Sequence, residues 1–304
     1  IVGEIMEDIK KQIDELKKKI LYHNDLYYNQ DNPEIEDAQY DELMQQLKKL
    51  EAENPELITK DSPTQKVGGV AKREAGVLVK HDVPMLSLQD VFSAEEVETF
   101  VDNMQKELDN PEFVVEEKID GLSLALRYVD GELKLAVTRG DGVVQGEDVT
   151  ANAMQIKDIK KKLKEKLPYV EVRGEVYMTR EAFSLVNEKQ ELLGKRLFAN
   201  PRNCAAGTLR QLDSKITKER NLSMFIFNLQ KVEGIELKSH TQAYEFMHKQ
   251  GMKIIHSYKV CKTKEEVLQA IEEIGNRRGD LDYDIDGAVV KINDFAQREK
   301  LGAT

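Results

Sequence analysis

The sequence predicts an α+β protein: a helical hairpin at the amino terminus, then antiparallel sheet flanked by helices. Three observations predict it. Apolar residues recur at helical steps through the first fifty positions, and the rhythm turns to alternation of period two beyond residue 113. Asp130-Gly131, the preferred pair for a tight hairpin turn, joins two alternating runs.

Each element can be justified in order. Ile5, Ile9, Ile13, Leu16 and Ile20 lie at steps of four, four, three and four, the stripe of an amphipathic helix. A polar link carrying Tyr27, Tyr28, Asn29 and Pro33 leads to a second helix from about Asp37. That helix sets Tyr40, Leu43, Leu47 and Leu50 on one face and is expected to stop at Asn54-Pro55. Residues 60–90 lose all periodicity and contain Gly68-Gly69, so they read as irregular chain with a linker. The boundary is placed near residue 72, giving domains 1–72 and 73–304. Ser93 and Glu96 form a capping box for a helix to about Leu108.

Strands are expected at 113–118, 122–128, 133–137, 169–178, 222–230 and 286–292. Helices fit at 180–193, 202–212, 241–250 and 263–275, the last opened by a Thr263/Glu266 capping box. Strands joined by hairpins, with helices beside them, exclude a doubly wound parallel sheet.

Composition narrows the function classes. The chain has 304 residues, 45 Lys+Arg against 56 Asp+Glu, and a net charge of −11. Residues 1–60 alone hold 8 lysines and 15 acids. Proteins that grip DNA unaided are usually basic, so this chain is not expected to hold a duplex by electrostatics alone. No run approaches a membrane span and no signal peptide opens the chain, so a cytoplasmic protein without a membrane partner is the expectation. Cys204 and Cys261 build neither a disulfide framework nor a zinc site, and the five histidines have no ligand spacing and read as surface or core residues. GDGVVQG misses the dinucleotide fingerprint, because position 145 is Gln, and no phosphate-binding P-loop exists.

The candidate chemistry sits on strands. EEKIDG (116–121) places Lys118 between acids, RGDG (139–142) follows a later strand, and VRGEVY (172–177) and DIDGAVVKIN (284–293) repeat the mixture. Residues two apart share a strand face. Hence Glu116, Lys118 and Asp120 point together, as do Arg173 with Glu175 and Val289 with Lys291. Charges on the inner face of a strand are costly unless paired or functional. Several strands doing this together argue for a polar cleft across the sheet.

In this order the motifs resemble the bacterial NAD-dependent DNA ligases, within the covalent nucleotidyltransferases. The resemblance runs along essentially the whole chain: DAQYD (37–41), SPTQKVGG, PMLSL (84–88), EEKIDG, TRGDG, VRGEVY, FANPRNCAAGTLRQLD (198–213) and DIDGAVVKIN. It implies an amino-terminal domain recognising nicotinamide mononucleotide and an adenylation domain using NAD and Mg²⁺. Lys118 would attack the α-phosphorus of NAD, release nicotinamide mononucleotide and keep AMP. AMP would then pass to the 5′-phosphate of nicked duplex DNA, where the 3′-hydroxyl displaces it. Only a neutral amine attacks, and an ordinary lysine is neutral in roughly one molecule in a thousand near neutral pH. Lys291, expected beside the α-phosphate, and Mg²⁺ are the cations that would favour the neutral form.

Further roles follow from the resemblance. Glu116 would read the adenine amino edge, with Ser87 and Leu88 beside the base. Phe227 would stack on adenine, where many members have Tyr. Arg139 and Glu175 would serve ribose and phosphate. Asp37, Ala38, Gln39, Tyr40 and Asp41 would hold the nicotinamide half, Tyr40 stacking on the pyridinium. Tyr27 and Tyr28 align with a Tyr-His pair, from which Tyr28 departs. Tyr40 also fits as plain apolar stripe. Arg202 and Arg210 read either as a phosphate-facing pair for the nick or as a solvated helix face. GDGVVQGED (140–148) is one residue longer than the usual loop. The chain begins with Ile and stops at LGAT, ahead of the family's next lysine motif. The expectation is therefore a monomeric adenylation module that does not seal nicks alone. A binding module holding NAD without turnover, or an ATP-using relative, remains the alternative.

Overall fold

In the computed structural model the helical stripe folds as read: α1 (Val2–Asn24) and α2 (Asp37–Glu53) pack along Ile13, Ile20, Met44 and Leu47. The structure describes residues 2–24, 37–59, 62–64, 77–80, 90–91, 94–138 and 145–301. Ile5, first in the stripe, is exposed, so the contact starts one turn later. α2 ends at Glu53, and Pro55–Leu57 continues as a short 3-10 turn. Lys17 Nζ donates to Thr59 Oγ1 at 2.7 Å, and Ser62 Oγ donates to the buried Glu51 carboxylate at 3.0 Å. These bonds tie the exit chain back onto both helices.

Among the described residues two antiparallel sheets follow. The strands are β1 (Val77–Lys80), β2 (Asp90–Val91), β3 (Phe113–Ile119), β4 (Leu122–Val129), β5 (Glu132–Thr138), β6 (Gln145–Asp148), β7 (Tyr169–Tyr177), β8 (Ser223–Glu233), β9 (Lys259–Cys261) and β10 (Ile285–Ile292). The large sheet runs β1-β6-β5-β4-β7-β8, and the small one β2-β10-β3-β9. β1 and β2 lie inside the stretch read as irregular chain, which is corrected here. Each is at most four residues long, too short to show a period, and pairs with a partner far along the chain. β6, β9 and the short helices at 150–153, 214–220 and 295–301 also escaped the pattern for want of length.

The cleft was expected across one sheet, and that too is corrected. β3 and β4 belong to different sheets, with Asp120-Gly121 carrying the chain between them. The predicted Asp130-Gly131 turn does form: both residues have positive φ, 50° and 78°, and Val129 pairs with Glu132.

The helices of this region are α3 (Ala94–Glu107), α4 (Thr150–Ala153), α5 (Arg180–Leu192), α6 (Pro201–Leu209), α7 (Ser214–Arg220), α8 (His240–Lys249), α9 (Lys264–Arg277) and α10 (Phe295–Leu301). One core joins the large sheet to α5, α6 and α8 through Leu124, Val172, Leu209 and Met247. Another joins the small sheet to α3 and α9 through Val101, Phe113, Val267 and Val290. Thr263 caps α9, accepting from Glu266 N at 3.1 Å as its capping box predicts. Ser93 lies outside the described residues. No described helix is long and apolar enough to cross a membrane.

Candidate active site

The strand faces converge as the alternation requires. In the β3/β10 ladder Lys118 faces Gly287, Glu116 faces Val289 and Val114 faces Lys291. Across the gap, β7 presents Arg173 and Glu175 beside β4 residues Ala125 and Ser123. Together with α6 these strands line a cleft of about 520 Å³. Its walls carry Glu116, Lys118, Arg173, Glu175, Arg202, Arg210, Phe227, Asp286 and Lys291.

α6 is built to point arginines into this cleft. Asn200 caps it, accepting from Asn203 N at 2.8 Å, and Pro201 opens it. Arg202 therefore lies in the first turn, 3.9 Å from the Asp120 carboxylate. Arg210 is the C-cap residue, 3.4 Å from Glu147. Its backbone is held from both sides: buried Asn152 donates to the carbonyls of Leu209 and Gln211 at 2.7 and 2.8 Å. Both side chains line the cleft, Arg202 exposed to solvent and Arg210 partly buried, so the phosphate-facing and solvated-face readings of the pair both remain open.

The cleft has two electrostatically different ends. At the buried end, Lys291 Nζ sits 2.9 Å from Glu116 Oε2 and donates to the Phe227 carbonyl at 3.2 Å. His240 Nε2 sits 2.5 Å from Glu116 Oε1. Burial opposes ionisation of Glu116, but the Lys291 charge overcomes it and holds the carboxyl well below the usual range. Burial and the Lys291 charge push His240 down to about 4, so the imidazole is neutral near pH 7. Burial likewise pushes Lys291 down to about 8. The Phe227 ring lies 5.0 Å from Lys291 Nζ and 5.3 Å from the Arg173 guanidinium carbon, within reach of both as a cation–π partner.

At the open end, Lys118 is half-buried beside Asp120. Burial and the neighbouring Asp286 raise the Asp120 pKa. Burial raises Glu175 to about 7, against a 3.3 Å bond from Ser123 Oγ and the charges of Arg202 and Arg173. Lys291 lines the same cleft as Lys118, with its amine bonded to Glu116. Its ladder partner is Val114, four residues before Lys118 on β3. Its charge is spent on Glu116.

Glu175 makes a pH prediction. A carboxyl whose pKa rises from 4.5 to about 7 binds more protons folded than unfolded between those values. Its contribution is therefore fully favourable below pH 4.5 and is lost as pH rises towards 7. Glu175→Gln should be more stable than the parent at pH 8, and the difference should shrink towards pH 4.5. Urea midpoints across that range measure it; a difference independent of pH would contradict the assigned environment.

The Asp120 charge adds to the raised pKa of Glu175. Such a pair fits Mg²⁺, which takes one or two carboxylates and completes its shell with water and substrate phosphates. Among the described residues no group of three His, Cys, Asp or Glu is placed to hold a metal by itself.

Other predicted residues are placed differently. Gln39 and Tyr40 lie on the first turn of α2, Tyr40 partly packed on the hairpin core as the apolar-stripe reading has it. Asp37, Ala38 and Asp41 lie on the same turn. Tyr27, Tyr28, Ser87, Leu88 and Arg139 lie outside the described residues. His240, read as a surface or core histidine, is fully buried; its bond to Glu116, 124 positions away, is signalled by no local spacing.

Residues 76–304 match the family described as NAD-dependent DNA ligase adenylation domain, and residues 6–68 match the DNA ligase-like, N-terminal NAD⁺-binding domain. Among curated relatives named DNA ligase, that of Clostridium kluyveri is 54% identical over 297 residues, covering 98% of this chain and 44% of the relative. The Acetivibrio thermocellus protein is 50% identical over 298 residues, covering 98% and 45%. That of Clostridioides difficile is 48% identical over 297 residues, covering 97% and 44%. The chain thus spans less than half the length of these relatives. With the adenylation-domain match covering most of its residues, the chain belongs to the NAD-dependent DNA ligase family.

Proposed function

We propose that this chain is a self-adenylating module that consumes NAD. The observation that carries the reading is Lys118, held at the open end of a cleft whose closed end is built for a base. Adenine enters towards Glu116 and Phe227, which leaves the α-phosphate near Lys118 and Arg202. The Lys118 lone pair attacks the α-phosphorus, a phosphorus–nitrogen bond forms, and the bond to the nicotinamide mononucleotide phosphate breaks with its electron pair. Asp120, made more basic by burial and by Asp286, is the neighbour that takes the amine proton. Arg202 and Arg210 offset charge gathering on the phosphates. Mg²⁺ would be held by Glu175 and the substrate phosphates, leaving Asp120 free to take the proton, and would supply further charge stabilisation.

The match of residues 6–68 to an NAD⁺-binding domain supports NAD over ATP. In the longer ligase, AMP would pass from Lys118 to the 5′-phosphate of a DNA nick for sealing. Cytoplasmic location, action in DNA replication and repair, and a monomeric state belong to the same proposal.

Intact mass after incubation with NAD and Mg²⁺ tests it. One AMP on the full chain is expected, and none on a chain lacking residues 1–72. Reversible NAD binding without a mass change would favour a non-turnover binding module. Equal labelling from ATP would sink the choice of NAD.

A further inference from the structure

The buried end of the cleft contains a residue that the proposed chemistry does not use. His240 is 0% exposed and does not line the cleft, yet its Nε2 is 2.5 Å from Glu116 Oε1. A carboxylate only accepts hydrogen bonds, so a neutral His240 must carry its proton on Nε2 and donate it. The other nitrogen, Nδ1, is then a bare acceptor, and it has no hydrogen-bond partner. Lys291 Nζ, 3.4 Å from Nε2, approaches a second donor and spends its protons on Glu116 and the Phe227 carbonyl.

The ring is mounted firmly. Ser239 caps α8, so His240 is its first residue. His240 N donates to the Asn293 carbonyl at 2.8 Å, and Thr241 N donates to Asn293 Oδ1 at 3.0 Å. Asn293 directly follows β10, so α8 starts at a fixed place over the strand that carries Lys291. Tyr244 packs on the imidazole at a ring distance of 4.3 Å.

A carboxylate offers about four lone-pair sites. His240 takes one on Oε1, Lys291 one on Oε2, and the Tyr244 hydroxyl also bonds the carboxylate, which together orient the group and leave an acceptor site towards the cleft it lines. We infer that His240 is a positioning residue for base selection: its Nε2–H holds Glu116 as a fixed acceptor, so that the site prefers a purine with an exocyclic amino group over one with a carbonyl there. This rests on the reading of the cleft as a nucleotide site. Adenine donates from that position, whereas hypoxanthine presents an oxygen that the carboxylate repels. A site committed to one hydrogen-bond pattern rejects the mismatched ligand strongly, because buried groups are left unpaired.

The test is equilibrium binding by calorimetry, without Mg²⁺, of NAD and of nicotinamide hypoxanthine dinucleotide. The wild-type chain is expected to favour NAD. In His240→Leu, which fills the space without a donor, the Kd ratio should fall about 10- to 100-fold. His240→Gln, which keeps a neutral donor, should hold the ratio within about threefold. A wild-type chain without preference, a leucine variant that keeps the ratio, or a glutamine variant that loses it equally would each overturn the inference. Should the leucine variant not fold, the ¹⁵N spectrum of the wild-type imidazole decides at pH 7. A neutral ring protonated on Nε2 supports the inference, and any other form overturns it. Because this binding assay needs no turnover, failure to form the AMP adduct would refute the proposed function separately.

Discussion

Lys118→Arg is expected to abolish AMP transfer from NAD, by about 10⁴-fold or more, while leaving the fold in place. Loss of a covalent nucleophile falls in this range where it has been measured in other enzymes. Arginine keeps the positive charge beside Asp120 but has no lone pair to give, since the guanidinium stays protonated. Lys118 is half-buried at the cleft's open end, where a longer cationic side chain can still reach solvent. Charge, strand pairing and packing thus stay nearly constant while nucleophilicity is removed. Lys118→Ala should lose the adduct as well, but it also removes a charge next to Asp120, so the arginine variant is the cleaner test. Intact mass reads the adduct and a thermal melt reads the fold. An AMP adduct on the arginine variant, or an adduct mapped to another residue of the wild-type chain, would sink Lys118 as nucleophile.

The grouping of Lys118 with most of the side chains around it was legible in the sequence because strand alternation is local. Glu116 and Lys118, or Arg173 and Glu175, need only two residues of separation to share a face, and the ladders keep them there. The longer helices were legible for the same reason, Asn54-Pro55 and Thr263/Glu266 marking ends that the backbone obeys. What was not legible depends on distance along the chain. Nothing near Asp120-Gly121 shows that β3 and β4 part into two sheets, because pairing is decided by partners up to 179 residues away, as with Phe113 and Ile292. The contact of the Lys291 amine with Glu116 is a consequence of register, since β10 pairs with β3 so that both side chains share one face. His240 joins the same group from the start of α8, held by a capping serine and by Asn293, and neither signal points to a carboxylate.

Gly121→Ala should cost both stability and activity, by about 1–3 kcal/mol through overpacking and about 100-fold in AMP transfer. A Cβ at Gly121 would lie 2.1 Å from the Val176 carbonyl oxygen and 3.2 Å from Glu175 Cγ. The first neighbour is backbone of β7, an interior strand of the large sheet with β4 on one side and β8 on the other, so it has little room to withdraw. The start of β4 must move instead, and Leu122 pairs with Val176 there. That movement pulls Ser123 from Glu175 and shifts Asp120, the neighbour of Lys118. Displacements near 1 Å are enough to lose about 100-fold when a reaction depends on in-line approach. Gly207→Ala in α6 supplies the control. A Cβ there meets only Phe198 Cε1 at 3.6 Å, and alanine in a helix interior gains about 0.5–1 kcal/mol over glycine. Urea denaturation and the single-turnover rate of AMP adduct formation measure both effects. A Gly121→Ala chain with wild-type stability and rate would show that the crossing between the sheets yields without moving the site. The close packing of the KIDG turn against β7 would then have no part in holding Lys118.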